Sequence, residues 1–175
     1  MRWESLFADM EAQLAAGRLA DVRPHVAELA RAERASVGLA ARARSSVGCR
    51  LRVLVGSADA VEGELVDAAP EWLLLADSPV RRALVPMSAV VAVDGLVAHA
   101  APAPGVIEAR LGLGHALRAL ARDRAVVRLD AGGADVSGRI ERVGADHLDL
   151  ADEGRSGRAA WAVPFAALRV VRSGG

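Results

Sequence analysis

The spacing of apolar residues divides the chain into helical and strand-like stretches. In the first 47 residues, apolar side chains recur at intervals of three and four, the spacing of one face of an α-helix. From Arg50 onward apolar and polar residues alternate, and this period of two predicts β-strands with one buried face. A second helical stripe within residues 106–120 follows a proline-containing stretch, and the alternation returns from Ala125. The clearest helical stripe consists of Trp3, Leu6, Phe7, Met10 and Leu14.

The two strand-rich stretches resemble one another. A shift of 75 residues places Gly63 on Gly138, with alternating apolar positions in register around them. A shift of 78 then places Pro86 on Pro164, so the second copy has three additional residues before its fourth strand. Because glycine and proline in register do not follow from an Ala-, Val- and Leu-rich composition, we interpret the two stretches as an internal repeat.

Each copy is predicted to contain five short strands separated by turns. In the first copy these are residues 50–55, 61–67, 72–76, 82–85 and 90–93, with one helical turn between the last two. Five such strands are expected to close into a small barrel, which removes exposed sheet edges. The predicted organisation is mainly β with helices: an N-terminal helical segment (1–47), a first small β-barrel (48–98), a linker and helix (99–123) and a second small β-barrel (124–175).

Residues 136–152, with the sequence VSGRIERVGADHLDLAD, carry a family resemblance. They resemble the first motif of the Sm-like, SH3-like small β-barrel superfamily, in which a Gly permits a strongly bent second strand and an Asp opens the third. The resemblance implies tandem five-stranded barrels, each preceded by a helix. It also implies association through the edges of the fourth and fifth strands, so we expect the copies to meet near residues 90–93 or 168–171.

The RNA-binding residues of that family are not retained. The Asn that contacts RNA falls at Leu74 in the first copy and Asp149 in the second, and the chain contains no Asn. The Arg-Gly pair of the second motif is absent from residues 85–87 and 163–165. Residues 49–98 carry 4 Arg against 7 acidic residues and residues 124–175 carry 8 Arg against 7, so neither copy has the basic surplus that phosphate binding requires. Nucleic-acid binding is therefore the alternative function and not the favoured one.

The sequence contains no arrangement that predicts catalysis. Cys49 is the single cysteine, and the four histidines are too dispersed to form a short-range metal motif. We therefore expect no enzyme activity, metal or cofactor. Acidic residues in the first turns and the lack of an 18-residue apolar run favour a soluble, cytoplasmic protein with no membrane partner.

The favoured function is a non-catalytic scaffold or protein-interaction module. Trp72 and His147 occupy equivalent positions at the start of the third strand. There they either stack on a ligand ring or base, or cover the barrel mouth or the interface with a helix. Arg155 and Arg158, in the longer loop of the second copy, either contact an acidic partner or are solvated. The N-terminal stripe that begins at Trp3 either packs on a barrel or mediates self-association with a second subunit.

Overall fold

The structure is a computed structural model of the chain, and it describes residue 31 and residues 35–56, 59–106, 110–151 and 159–173. The predicted N-terminal stripe, and with it the predicted helical segment up to residue 30, lies outside the described residues. The same holds for Arg155 and Arg158. The architecture described below belongs to the unit that begins at Gly38.

This unit is mainly β, with ten strands and two α-helices among its described residues. The strands are β1 (Arg50–Val55), β2 (Asp59–Ala69), β3 (Trp72–Ala76), β4 (Arg82–Pro86), β5 (Val90–Asp94), β6 (Val126–Ala131), β7 (Ala134–Val143), β8 (His147–Ala151), β9 (Ala159–Pro164) and β10 (Leu168–Ser173). The helices are α1 (Leu39–Ser45) and α2 (Leu113–Arg122), and each precedes five strands. Single 3₁₀ turns, Met87–Ala89 and Phe165–Ala167, join β4 to β5 and β9 to β10.

The strands follow the predicted alternation. In β1, Leu51, Val53 and Val55 are buried, whereas Arg50 and Arg52 are exposed. A strand with one apolar face gains free energy by burying that face against a second layer, at about 25 cal/mol per Å² of apolar surface. The sequence prediction of half-buried strands is therefore confirmed for β1.

All ten strands belong to one antiparallel sheet. The strand order is β5-β1-β2-β3-β4-β10-β6-β7-β8-β9, so β4 of the first copy is hydrogen-bonded to β10 of the second. This sheet is open, so the predicted tandem small β-barrels are not confirmed. Within the described strands, the backbone groups on the outer edge of β4 pair with β10 of the other copy. They do not pair with β5 of the same copy.

The pairing registers of the two copies correspond position by position. Leu51 lies opposite Gly63 in the first copy, and Val127 lies opposite Gly138 in the second. A β-bulge interrupts β2 between Leu65 and residue 67, and the equivalent bulge interrupts β7 between residues 140 and 142. Two halves that agree in strand order, register and bulge position present equivalent edges.

The two glycines predicted at bends occupy equivalent crowded positions. A Cβ on Gly63 would lie 2.5 Å from the carbonyl oxygen of Ala76 in β3. A Cβ on Gly138 would lie closer still to the carbonyl oxygen of Ala151 in β8. Only glycine lets the neighbouring backbone approach this closely, because it has no side chain at that point.

Two clusters of buried side chains form the core, one under each copy. Ala43 of α1 packs into the first cluster, and Leu113 and Leu117 of α2 pack into the second. The segment after β5 is bound to α1, because the Ser46 hydroxyl accepts a hydrogen bond from the backbone N–H of Val97 at 3.0 Å. Within the predicted linker, the backbone N–H of Ala101 donates a hydrogen bond to the carbonyl oxygen of Ala41 in α1 at 3.0 Å, so the first part of the linker is held against α1.

Candidate interaction surfaces

At the contact between β4 and β10, each strand contributes a side chain to the core of the other copy. Leu84 of β4 is 3% exposed and belongs to the core of the second copy. Val170 of β10 is fully buried and belongs to the core of the first copy. Backbone pairing places Leu84 opposite Val171, which is also buried. This inter-copy contact, named the junction below, therefore combines strand pairing with reciprocal apolar packing.

The junction agrees with the prediction that the copies meet through their fourth and fifth strands. The two strands involved are β4 and β10, and the predicted range 168–171 lies within the second of them. The other predicted range, 90–93, lies in β5, which forms one outer edge of the sheet and not the junction.

The outer edges of the sheet are formed by β5 and β9. On their outer sides these strands pair with no other strand of the described sheet. The edge of β5 has the sequence VVAVD, and that of β9 has the sequence AAWAVP. Val91 is 66% exposed and Trp161 is 50% exposed. Natural sheets commonly protect such edges with charged residues, and apart from Asp94 neither strand carries one.

Trp72 is not available to stack on a ligand. Its side chain is buried in the second core, and its indole N–H donates a hydrogen bond to the Leu111 carbonyl oxygen at 2.8 Å. Burial of the indole is favourable because its N–H group has a hydrogen-bond partner, so the ring is not exposed to a ligand. Of the two interpretations of Trp72, the geometry favours the cover at a helix interface.

Glu71, which the sequence analysis did not single out, contributes to the same interface. Its carboxylate Oε2 accepts a hydrogen bond from the backbone N–H of Leu113 at 2.7 Å, at the first residue of α2. The first N–H groups of a helix have no partner within the helix, and a negative charge is favourable there. A side chain from the first copy thus caps the helix that covers the second core. Residues 42 positions apart in sequence meet here, and no local pattern indicates such a pair.

His147 lies in a small polar cluster on the surface. Its Nδ1 is 2.8 Å from Asp146 Oδ1, and its Nε2 is 4.0 Å from Asp149 Oδ1. Asp149 also accepts a hydrogen bond from Arg142 Nε at 2.8 Å. The hydrogen bond from His147 lowers the pKa of Asp146. These contacts hold the imidazole beside two carboxylates. The surroundings of His147 are therefore polar, whereas those of Trp72 are apolar.

A groove of about 330 Å³ lies beside the junction, between α2 and the strands. Its apolar lining includes Leu74, Leu84, Leu120 and Val171, and His115 is the imidazole among its lining residues. Polar and charged side chains also line the groove, namely those of Asp67, Arg82, Asp123 and Ser173, so its surface is mixed.

No group of three or more potential metal ligands occurs among the residues that the structure describes. Over the same residues, no helix is long and apolar enough to cross a membrane. No family model matches the sequence, and the search of curated proteins finds no significant relative.

Proposed function

We propose that this protein is a non-catalytic interaction scaffold made of two small Sm-like barrel units, which binds protein strands along β5 and β9. The proposal rests on β5 and β9, which have no neighbouring strand on their outer sides within the described sheet and carry almost no charge. An exposed edge offers a row of backbone donors and acceptors to an incoming strand, and pockets for its alternate side chains add specificity.

The barrel units are supported by the order of strands in each half. The first five strands are ordered β5-β1-β2-β3-β4, and the last five are ordered β10-β6-β7-β8-β9. Each half therefore has the same topology, with its fifth strand beside its first. The crowded Gly63 and Gly138 permit the close approach that a strongly curved second strand requires.

The charge arrangement supports protein binding over nucleic-acid binding. Arg128 pairs with Asp135 at 2.6 Å, and Arg142 pairs with Asp149 at 2.8 Å. Arg52 is 3.3 Å from the carboxylate of Glu62. An Arg that already faces a carboxylate contributes less to phosphate binding, because that binding depends on uncompensated positive charge.

The proposal is tested by affinity capture from the native cell, read by mass spectrometry and by nucleic-acid content. Tagged wild-type chain is compared with Ala92→Lys in β5 and Ala162→Lys in β9. Both alanines are exposed, and a Lys on an edge strand opposes strand addition. The matched control is Val80→Lys, because Val80 is 74% exposed and lies between β3 and β4.

We expect wild type and Val80→Lys to retain the same proteins and the edge variants to lose them. Equal recovery in all four samples would contradict edge binding. Nucleic acid that remains bound at high salt in every variant would instead support the alternative function.

A further inference from the structure

One end of the groove beside the junction is polar. In the strand pairing of the junction, Arg82 of β4 lies directly opposite Ser173 of β10, so both side chains project from the same face of the sheet. Both residues line the groove, and so does Asp123, the residue that ends α2. A guanidinium, a hydroxyl and a carboxylate group therefore border one small groove, with Arg82 from the first copy and Ser173 from the second.

The position of α2 places these groups toward the same end of the groove. The start of α2 is held beside the start of β3, because the Glu71 carboxylate accepts a hydrogen bond from the Leu113 N–H. Asp123 follows the ten residues of the helix and lies about 15 Å farther along its axis. Arg82 pairs with the last residue of β3, so it also lies away from Glu71. Arg82 and Asp123 therefore border the groove at its end away from the start of α2.

The two charges at this end are uncompensated within the part of the chain that the structure describes. Among those residues, the side chains of Arg82 and Asp123 have no ion-pair or hydrogen-bond partner. The other acidic residue of the groove differs, because Asp67 Oδ1 accepts a hydrogen bond from the Ala68 N–H at 2.8 Å. A molecule that carries both a carboxylate and an ammonium group complements Arg82 and Asp123 together, through charge-assisted hydrogen bonds.

The rest of the groove is suited to an apolar side chain. Leu74, Leu84, Leu120 and Val171 line it, and together they come from β3, β4, α2 and β10. Its volume of about 330 Å³ lies at the lower limit of small-molecule sites, which span about 300–1,000 Å³. The groove therefore fits a small molecule with one charged end and one apolar end.

We propose that this groove binds a free α-amino acid with an apolar side chain. Its carboxylate contacts Arg82 and the Ser173 hydroxyl, its ammonium group contacts Asp123, and its side chain packs on Leu84 and Leu120. The site is separate from the outer edges β5 and β9, and it does not depend on the proposed edge-binding function. Because the amino acid contacts both copies, its binding stabilises the folded unit that contains the junction.

Isothermal titration calorimetry of the full chain with L-leucine and L-phenylalanine tests the proposal. Three further probes each lack one part of leucine: isocaproate lacks the ammonium group, isopentylamine lacks the carboxylate and glycine lacks the apolar side chain. The variants are Arg82→Gln and Asp123→Asn. Their matched controls are Arg81→Gln and Asp77→Asn, because these two residues form an exposed pair between β3 and β4.

We expect saturable binding of the apolar amino acids and binding of each incomplete probe that is at least about tenfold weaker. Loss of one charge-assisted contact should weaken L-leucine binding by about 10–100-fold in Arg82→Gln and in Asp123→Asn. Arg82→Gln should leave the affinity for isopentylamine unchanged, and Asp123→Asn should leave the affinity for isocaproate unchanged. In the wild type and both controls, L-leucine should raise the midpoint of thermal unfolding.

Three results would overturn the inference. The first is that neither L-leucine nor L-phenylalanine binds the wild type saturably. The second is that isocaproate, isopentylamine or glycine binds as tightly as L-leucine, because recognition of the whole amino acid is then absent. The third is that both variants lose affinity equally for every probe, since the substitutions then act through the fold and not through the assigned contacts.

Discussion

Leu84 and Val170 each pack in the core of the opposite copy. Leu84 belongs to the first copy and packs in the core of the second, whereas Val170 belongs to the second copy and packs in the core of the first. Both are buried, at 3% and 0% exposure. Neither copy can therefore lose its packing without exposing apolar surface in the other.

The first prediction follows from this exchange. Leu84→Ala should lower the free energy of unfolding by about 2–5 kcal/mol, because it removes buried methyl groups and leaves a cavity. The loss should appear as one cooperative transition shared by both copies. Calorimetry of wild type and Leu84→Ala measures this, with Val80→Ala as the exposed control. Two independent transitions in the wild type would show that the copies are uncoupled.

The second prediction concerns the close approach at Gly138. Gly138→Ala should destabilise the protein by about 1–3 kcal/mol or more, because the new Cβ meets the rigid backbone of β8 instead of a flexible side chain. Gly105→Ala is the matched control, since no atom lies within 4 Å of a Cβ built there. Chemical denaturation measures both variants. Similar midpoints for the two would show that β7 and β8 are not packed as closely as described.

The third prediction concerns the cap on α2. Glu71→Ala should cost about 0.5–2 kcal/mol, because it removes the acceptor for the Leu113 N–H at the start of the helix. Glu62→Ala is the control, since its exposed pair with Arg52 contributes only about 0–1 kcal/mol. A smaller loss for Glu71→Ala than for Glu62→Ala in urea denaturation would contradict the capping role.

The fourth prediction concerns pH. The pKa of Asp146 is lowered by its hydrogen bond with His147, so the folded state favours the carboxylate. The resulting stabilisation is present above the ordinary aspartate pKa and is lost as the pH falls through the lowered value. His147→Ala should raise the midpoint of the Asp146 carboxyl titration, followed by NMR. The low pKa of Asp135, caused by Arg128, should stay in place. An unchanged Asp146 midpoint would show that His147 is not the cause of the lowered pKa of Asp146.

The elements that the sequence predicted are those with a short-range pattern. The alternation of Leu51, Val53 and Val55 with arginines reports which face is buried, and this information is contained in neighbouring residues. The paired glycines were found because a repeat can be read by shifting the sequence on itself. The meeting of the fourth and fifth strands followed from the family resemblance, and β4 and β10 pair accordingly.

The features that were missed depend on contacts between distant residues. Equivalent positions of the repeat hold a buried Trp72, whose indole N–H bonds the Leu111 carbonyl, and a His147 that lies beside Asp146 and Asp149. Closed small barrels were expected because a sequence pattern does not specify which strand an edge pairs with. The cap by Glu71 is likewise set by tertiary structure.

The central claim is that the outer edges β5 and β9 pair with protein strands, and amide hydrogen exchange tests it most directly. In the complex of wild type with the proteins captured from the native cell, the β5 and β9 amides that point away from β1 and β8 should exchange as slowly as those of β4 and β10 at the junction. In the variant that combines Ala92→Lys with Ala162→Lys, the outer amides should lose protection while β4 and β10 keep theirs. If the outer amides of β5 and β9 in that complex exchange as fast as those of the loops, the edges are free and the account is contradicted.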